Sequence, residues 1–203
     1  MEPVLLVEIP EAEPVVGEHR RRLDRAAALG IPPHVSPLYP FVPSDRINAE
    51  VLDAVAAVAG QINAFDYRFP ATGWFGEEVL FLDPDDPAPF VRLTAGLFEV
   101  FPDYPPEGGA YSEIVPQLTK ARGGTERLAR IDADVRSQLP IDGRAGELTL
   151  MTADDAGRSS RAATWRLDTG LCGGSTPPSA LDPPHSRGFT RPAGQPVTQK
   201  SRR

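Results

Sequence analysis

Pro33-His34-Val35-Ser36-Pro37-Leu38-Tyr39-Pro40-Phe41 reads as a short apolar strand punctuated by proline, with one of the chain's three histidines two residues ahead of a hydroxyl. Successive side chains of a strand point to opposite faces, so His34 and Ser36 share one face and Val35 takes the other. An imidazole titrating near neutral pH beside a hydroxyl can move a proton and hold a phosphate oxygen together. A second stretch, Val115-Pro116-Gln117-Leu118-Thr119-Lys120-Ala121, repeats the layout, with Gln117 at the histidine's position and Thr119 at the hydroxyl's. By the same alternation Gln117 and Thr119 share a face, whereas Lys120 and Arg122 point away from it.

Outward from these stretches the order of elements repeats. Residues 3–9 (PVLLVEI) are apolar and rich in strand formers, and 14–29 carry Val15, Val16, Leu23, Ala26, Ala27 and Leu29 on one helical face before Gly30. The Arg20-Arg21-Arg22 run beside His19 invites a phosphate-binding reading, but flanking Glu18 and Asp24 favour a solvated helix face. After the His34 strand, 47–61 has helical periodicity with a start signal at Ser44-Asp45, and 65–69 (FDYRF) alternates like a half-buried strand. Trp74-Phe75 precedes a turn into a buried strand at 79–83, and packs more readily in a core or rim than on a base. The second half then supplies a helix over 87–101, the Gln117 strand, a helix over 125–139 with Thr125 as its cap, and strands at 147–151 and 162–167. Each half reads strand, helix, motif strand, helix, strand, which predicts a duplicated unit with both motif strands facing one groove.

Composition narrows the function. At 203 residues and 40% hydrophobic, the chain can bury one good core. Its net charge of -7 is unevenly spread: from Leu171 onward there is one acidic residue (Asp182) against five basic ones (Arg187, Arg191, Lys200, Arg202, Arg203), so residues 1–170 carry a net of -11. A domain that acidic is ill suited to duplex nucleic acid, where many phosphates must be neutralised. The single Cys172 excludes an internal disulfide framework. The N-terminal run lacks the basic start and apolar length of a signal peptide, and no stretch reaches the roughly 18 apolar residues of a membrane span. The chain therefore reads as cytoplasmic, with no membrane contact and a monomer as the default. Beyond Gly170, Gly, Pro, Ser and Thr dominate and no period survives, so 171–203, including His185, reads as a disordered basic tail behind a single domain at 1–170.

With both motifs placed, the chain resembles the 2'-5' RNA ligase-like family of the two-histidine (2H) phosphoesterase superfamily. The family carries a pair of His-x-Thr/Ser-x motifs, one per lobe. His34-Val35-Ser36-Pro37 matches the first, and Gln117-Leu118-Thr119-Lys120 matches the second except at Gln117. Leu38-Tyr39-Pro40-Phe41 and Thr72-Gly73-Trp74-Phe75-Gly76 also look like members of this branch, and the similarity covers about residues 3 to 168.

The resemblance implies an α+β fold, bilobed and duplicated, with antiparallel sheets facing a central groove and helices outside. It implies acid–base chemistry without metal or other cofactor on a 2',3'-cyclic phosphate or 2',5'-linked phosphodiester, supplied as a small phosphodiester, cyclic nucleotide or RNA end. His34 and the residue at position 117 would be the catalytic pair, with Ser36 and Thr119 binding the phosphate. Gln117 does not titrate in the relevant range, so the second proton carrier is missing and an impaired enzyme is expected. Three other readings compete: a non-catalytic nucleotide or phosphate-ester binding protein on the same fold, a purely structural His34, and a protein-interaction module that uses the tail.

Overall fold

A computed structural model describes residues 2–109, 118–122, 124–154 and 157–168, with backbone alone for 119–122. Gln117 and the 171–203 segment lie outside the described residues.

The apolar runs form strands where alternation or full burial demands them, and amphipathic segments form the helices. In chain order these are β1 (Val4–Glu8), α1 (Glu13–Leu23), α2 (Arg25–Ala28), β2 (His34–Leu38), α3 (Ala49–Ala59), β3 (Phe65–Phe69), β4 (Ala71–Phe75), β5 (Val79–Asp83), α4 (Ala88–Val100), β6 (Leu118–Arg122), α5 (Thr125–Arg136), β7 (Ile141–Ala145), β8 (Glu147–Ala153) and β9 (Ser159–Arg166). One antiparallel sheet runs β4-β5-β6-β2-β1-β8-β9, and β3 pairs with β7 in a second, two-stranded sheet.

This order encodes the duplication. Residues up to Phe75 give β1-α1-β2-α3-β3-β4, and Val79 onward gives β5-α4-β6-α5-β7-β8. Exchanging the halves maps β4-β5-β6-β2-β1-β8 onto itself and leaves the β3–β7 pair unchanged. The last strand of each half is hydrogen-bonded to the first strand of the other: β4 to β5, and β8 to β1. The two motif strands, β2 and β6, meet at the centre. Neither half completes its sheet without the other.

The four long helices all contribute to one apolar core. Val16 of α1, Val55 of α3, Phe90 and Leu93 of α4, and Leu128 and Ile131 of α5 pack with Leu5, Val7, Val35, Leu80, Leu82, Leu118, Leu148 and Leu150 from the strands. Phe90 is fully buried in it, edge-on to Phe65 at 4.9 Å. The alternate residues of β1 and β8 (Val4, Leu6 and Met151) form a smaller cluster with Ile31, against which Ala26 packs. His34 and Ser36 alternate with the buried Val35 and so belong to the face opposite the main core.

Four local expectations are corrected. The helix read over 14–29 breaks at Asp24, whose backbone is extended (φ -111, ψ 116) and whose carboxylate accepts from the Ala26 N–H, starting α2. Helix α3 starts at Asn48, whose side chain accepts from the Val51 N–H at 3.0 Å, because Ser44–Arg46 is a separate 3₁₀ turn. Thr125 is the first helical residue of α5, and Gly124 holds the cap position without a side-chain bond. Arg20 is buried, 3% exposed, whereas Arg21 and Arg22 lie on the solvated face and pair with Glu13 and Glu18.

Candidate active site

His34 is the first residue of β2, and its ring is fixed by a contact with the backbone just before it. Nδ1 lies 2.7 Å from the Pro32 carbonyl oxygen. A carbonyl can only accept, so Nδ1 carries the proton and Nε2 presents a lone pair. Burial among protein atoms lowers the imidazole from 6.5 to about 4, although part of the residue's surface stays open. The Pro32 hydrogen bond and the Asp24 and Glu107 carboxylates act in the opposite direction, and the Arg20 guanidinium reinforces the lowering. At neutral pH His34 is an uncharged base in a fixed tautomer.

Ser36, two residues on, shares the face of His34 and is partly accessible. Across the seam, Val35 pairs with Leu118. Thr119 is the next residue of β6, so the backbone brings its position beside β2. The structure thus brings together the strands of His34, Ser36 and Thr119.

Three further residues stand around His34, two that the sequence reading did not assign to the site and Arg20, which it placed on a solvated helix face. Glu8 of β1 is its register partner; Oε2 pairs with Arg161 of β9 at 2.5 Å, and the buried Oε1 has no hydrogen-bond partner among the described residues. Pro32 supplies the carbonyl. Arg20 donates from Nη2 to the Ile31 carbonyl at 3.1 Å and from Nε to Asp24 at 3.0 Å. Spacing could have revealed Arg20, since it stands four residues after Val16 and three before Leu23 and therefore lies on the buried stripe of α1. Glu8 carried a weaker signal, as the charge that ends an apolar strand.

The remaining candidates are structural. Trp74 packs against the core and its indole N–H donates to Asp132 at 3.4 Å, while Phe75 stacks on Phe81 at 4.5 Å. His19 of α1 meets Asp134 of α5 at 2.7 Å. No cluster of three or more metal-ligating side chains occurs among the described residues, and no described helix is long and apolar enough to cross a membrane.

Comparison with known proteins agrees with this architecture. The sequence profile of the 2'-5' RNA ligase superfamily matches residues 8–157. A search of curated proteins gives no match. Among solved structures, a phosphoesterase is similar at 17% identity and a TM-score of 0.51, covering 82% of this chain and 98% of that one. LigT of E. coli, solved with 3'-AMP, gives the same identity and TM-score over 82% of this chain and 97% of its own. TT0787 of Thermus thermophilus is 19% identical with a TM-score of 0.52, covering 85% of this chain and 100% of its own. At these identities the likeness establishes the α+β fold of the phosphoesterases and nothing finer.

Proposed function

The chain belongs to the 2'-5' RNA ligase superfamily, and from that premise we propose that it takes a small phosphodiester, a cyclic nucleotide or an RNA end at the β2–β6 seam. The observation that carries the reading is the state of His34, an uncharged imidazole whose Nδ1–H is committed to Pro32 and whose Nε2 is left to accept a proton. In hydrolysis of a 2',3'-cyclic phosphate, His34 Nε2 takes the proton of the attacking water as its oxygen bonds to phosphorus. One ring P–O bond breaks, and the leaving ribose oxygen must gain a proton. Ser36 and Thr119 donate hydrogen bonds to the non-bridging oxygens. Gln117 donates an N–H hydrogen bond to the leaving oxygen and cannot deliver a proton, so that step falls to water and turnover is slow.

That E. coli LigT was solved with 3'-AMP supports a nucleotide-sized ligand. The superfamily match ends at residue 157, and the similar structures cover 82–85% of this chain; both support a domain at 1–170 with 171–203 as an appendage. The second reading, a binding protein without turnover, is favoured by the same two features of the site: Gln117 cannot titrate, and an imidazole lowered to about 4 is a weak base. The test is hydrolysis of a 2',3'-cyclic nucleotide by wild type, His34→Ala and Gln117→His in parallel. Slow wild-type turnover that depends on His34 and rises in Gln117→His supports the enzyme. Silence of all three, with calorimetric binding of the nucleotide retained, selects the binding protein.

A further inference from the structure

We infer that Arg20 is a positioning residue for His34, acting through the Ile31–Pro32–Pro33 linker that leads into β2. The linker is held on both sides of the carbonyl that matters. Ile31 N–H donates to Ala26 at 3.0 Å, the Ile31 carbonyl accepts from Arg20 at 3.1 Å, and the Pro33 carbonyl accepts from Ile9 at 2.8 Å. Between them Pro32 has no N–H, a fixed φ and a proline after it, so its carbonyl has little freedom once its neighbours are tied. That carbonyl receives the His34 Nδ1–H.

Stability alone is a poor reason for the Arg20–Asp24 pair. It is buried, at 3% and 14% side-chain exposure, with 2.9 Å between the charged groups. Buried pairs of this kind are often no better than well-packed apolar residues of the same volume, because desolvation offsets the attraction. Positioning of His34 supplies the missing reason. The guanidinium fork ties Asp24, the residue that starts α2, to the last carbonyl before Pro32, and places a positive charge that disfavours the imidazolium. Among the described residues, the other charged groups around the ring are Asp24 and Glu107, which oppose that effect, and Glu8 across the ladder, itself paired with Arg161.

This inference rests on the proposed role of His34, but its test does not read turnover, so the two can fail separately. Imidazole nitrogen and carbon resonances of the full-length protein are followed by NMR across pH in wild type, Arg20→Lys and the double variant Arg20→Met/Asp24→Leu, which leaves no unpaired charge. Wild-type His34 is expected as the Nδ1–H tautomer with a midpoint near 4. The double variant should give mixed tautomers; it removes the lowering charge of Arg20 and the raising charge of Asp24 together and leaves the burial, so the tautomer is the deciding readout. Lysine keeps the charge and loses the fork, so Arg20→Lys should also mix the tautomers. A folded double variant with the pure wild-type tautomer overturns the inference. If the double variant does not fold, Arg20→Lys decides, and a pure Nδ1–H tautomer there overturns it equally.

Discussion

Val35 lies directly across from Leu118 in the antiparallel ladder, and both are buried in the main core. Strand alternation has a period of two, so this one pairing sets the phase of both motif strands. Positions 34 and 36 of β2, and 119 of β6, then belong to the other face of the sheet. A slip of one residue would carry Val35 out of the core and His34 into it. The candidate site positions are thus phased by two apolar residues of the core.

If Gln117 is the one missing proton carrier of an intact site, Gln117→His should raise cyclic-phosphate hydrolysis by about 10²–10⁴-fold, the usual worth of one general acid or base. The gain should vanish in the His34→Ala/Gln117→His double variant. Steady-state assays of the variants check both points, and a gain that survives loss of His34 would place the chemistry elsewhere.

The lowered His34 couples folding to pH. Its folded midpoint is about 4 against 6.5 unfolded, so between those values the unfolded chain binds the proton and the folded one does not. Stability is therefore unaffected above about 6.5 and falls as pH drops towards 4, by at most about 3 kcal/mol for a shift of this size. Urea unfolding at pH 7, 5.5 and 4.5 should show this loss in wild type and a smaller one in His34→Asn. In kcat/KM, hydrolysis by His34 as base should be level from pH 6 to 8 and fall only towards the folded midpoint.

The sequence readily disclosed the elements whose own pattern determines them. Residues 65–69 and 79–83 alternate or run apolar, and form β3 and β5 within those bounds. Strand β7 (IDGRA) was illegible because only its ends, Ile141 and Ala145, are buried, and pairing with β3 makes it a strand. Strand β4 was hidden by Gly73, which in a strand interior suggests a turn; here Phe81 occupies the space where a Cβ would stand. At the site, the His34–Ser36 face followed from alternation. The Pro32 carbonyl and Arg20 did not, because tertiary contacts assign their roles.

Ending the chain after residue 170 should leave the fold and any nucleotide binding intact. No segment beyond Asp168 is needed for the described sheet or core, and the similar structures are 97–100% covered without the full length of this chain. Thermal unfolding and calorimetric titration of the 1–170 protein against the full chain check this. A loss of binding on truncation would give the basic tail a part in the site.

Asp132 on α5 clamps the edge strand β4, and removing it should cost stability without disturbing His34. Its Oδ1 accepts from Thr72 at 2.5 Å and from Arg136 Nε at 2.8 Å, and its Oδ2 accepts from Trp74. Burial alone would raise this carboxyl, but the bonds from Thr72 and Arg136, the Arg136 charge and the indole N–H outweigh it and hold it below the usual range. The Asp132 side chain is only 15% exposed, and Asp132→Ala takes the acceptor from the part-buried Thr72 hydroxyl and Trp74 indole N–H, so it should destabilise by about 1–3 kcal/mol. Arg136, at 57% exposure, should matter less, since solvent screens its half of the pair. A depressed carboxylate contributes above its ordinary titration range and loses that contribution as pH falls through it. The Asp132 increment should therefore persist at pH 5, where the His34 effect has already set in, and fade only below about 4. Urea unfolding of wild type and Asp132→Ala at pH 7, 5 and 3.5 separates the two. An increment that disappeared by pH 5 would mean that the clamp does not act through the ionised carboxylate.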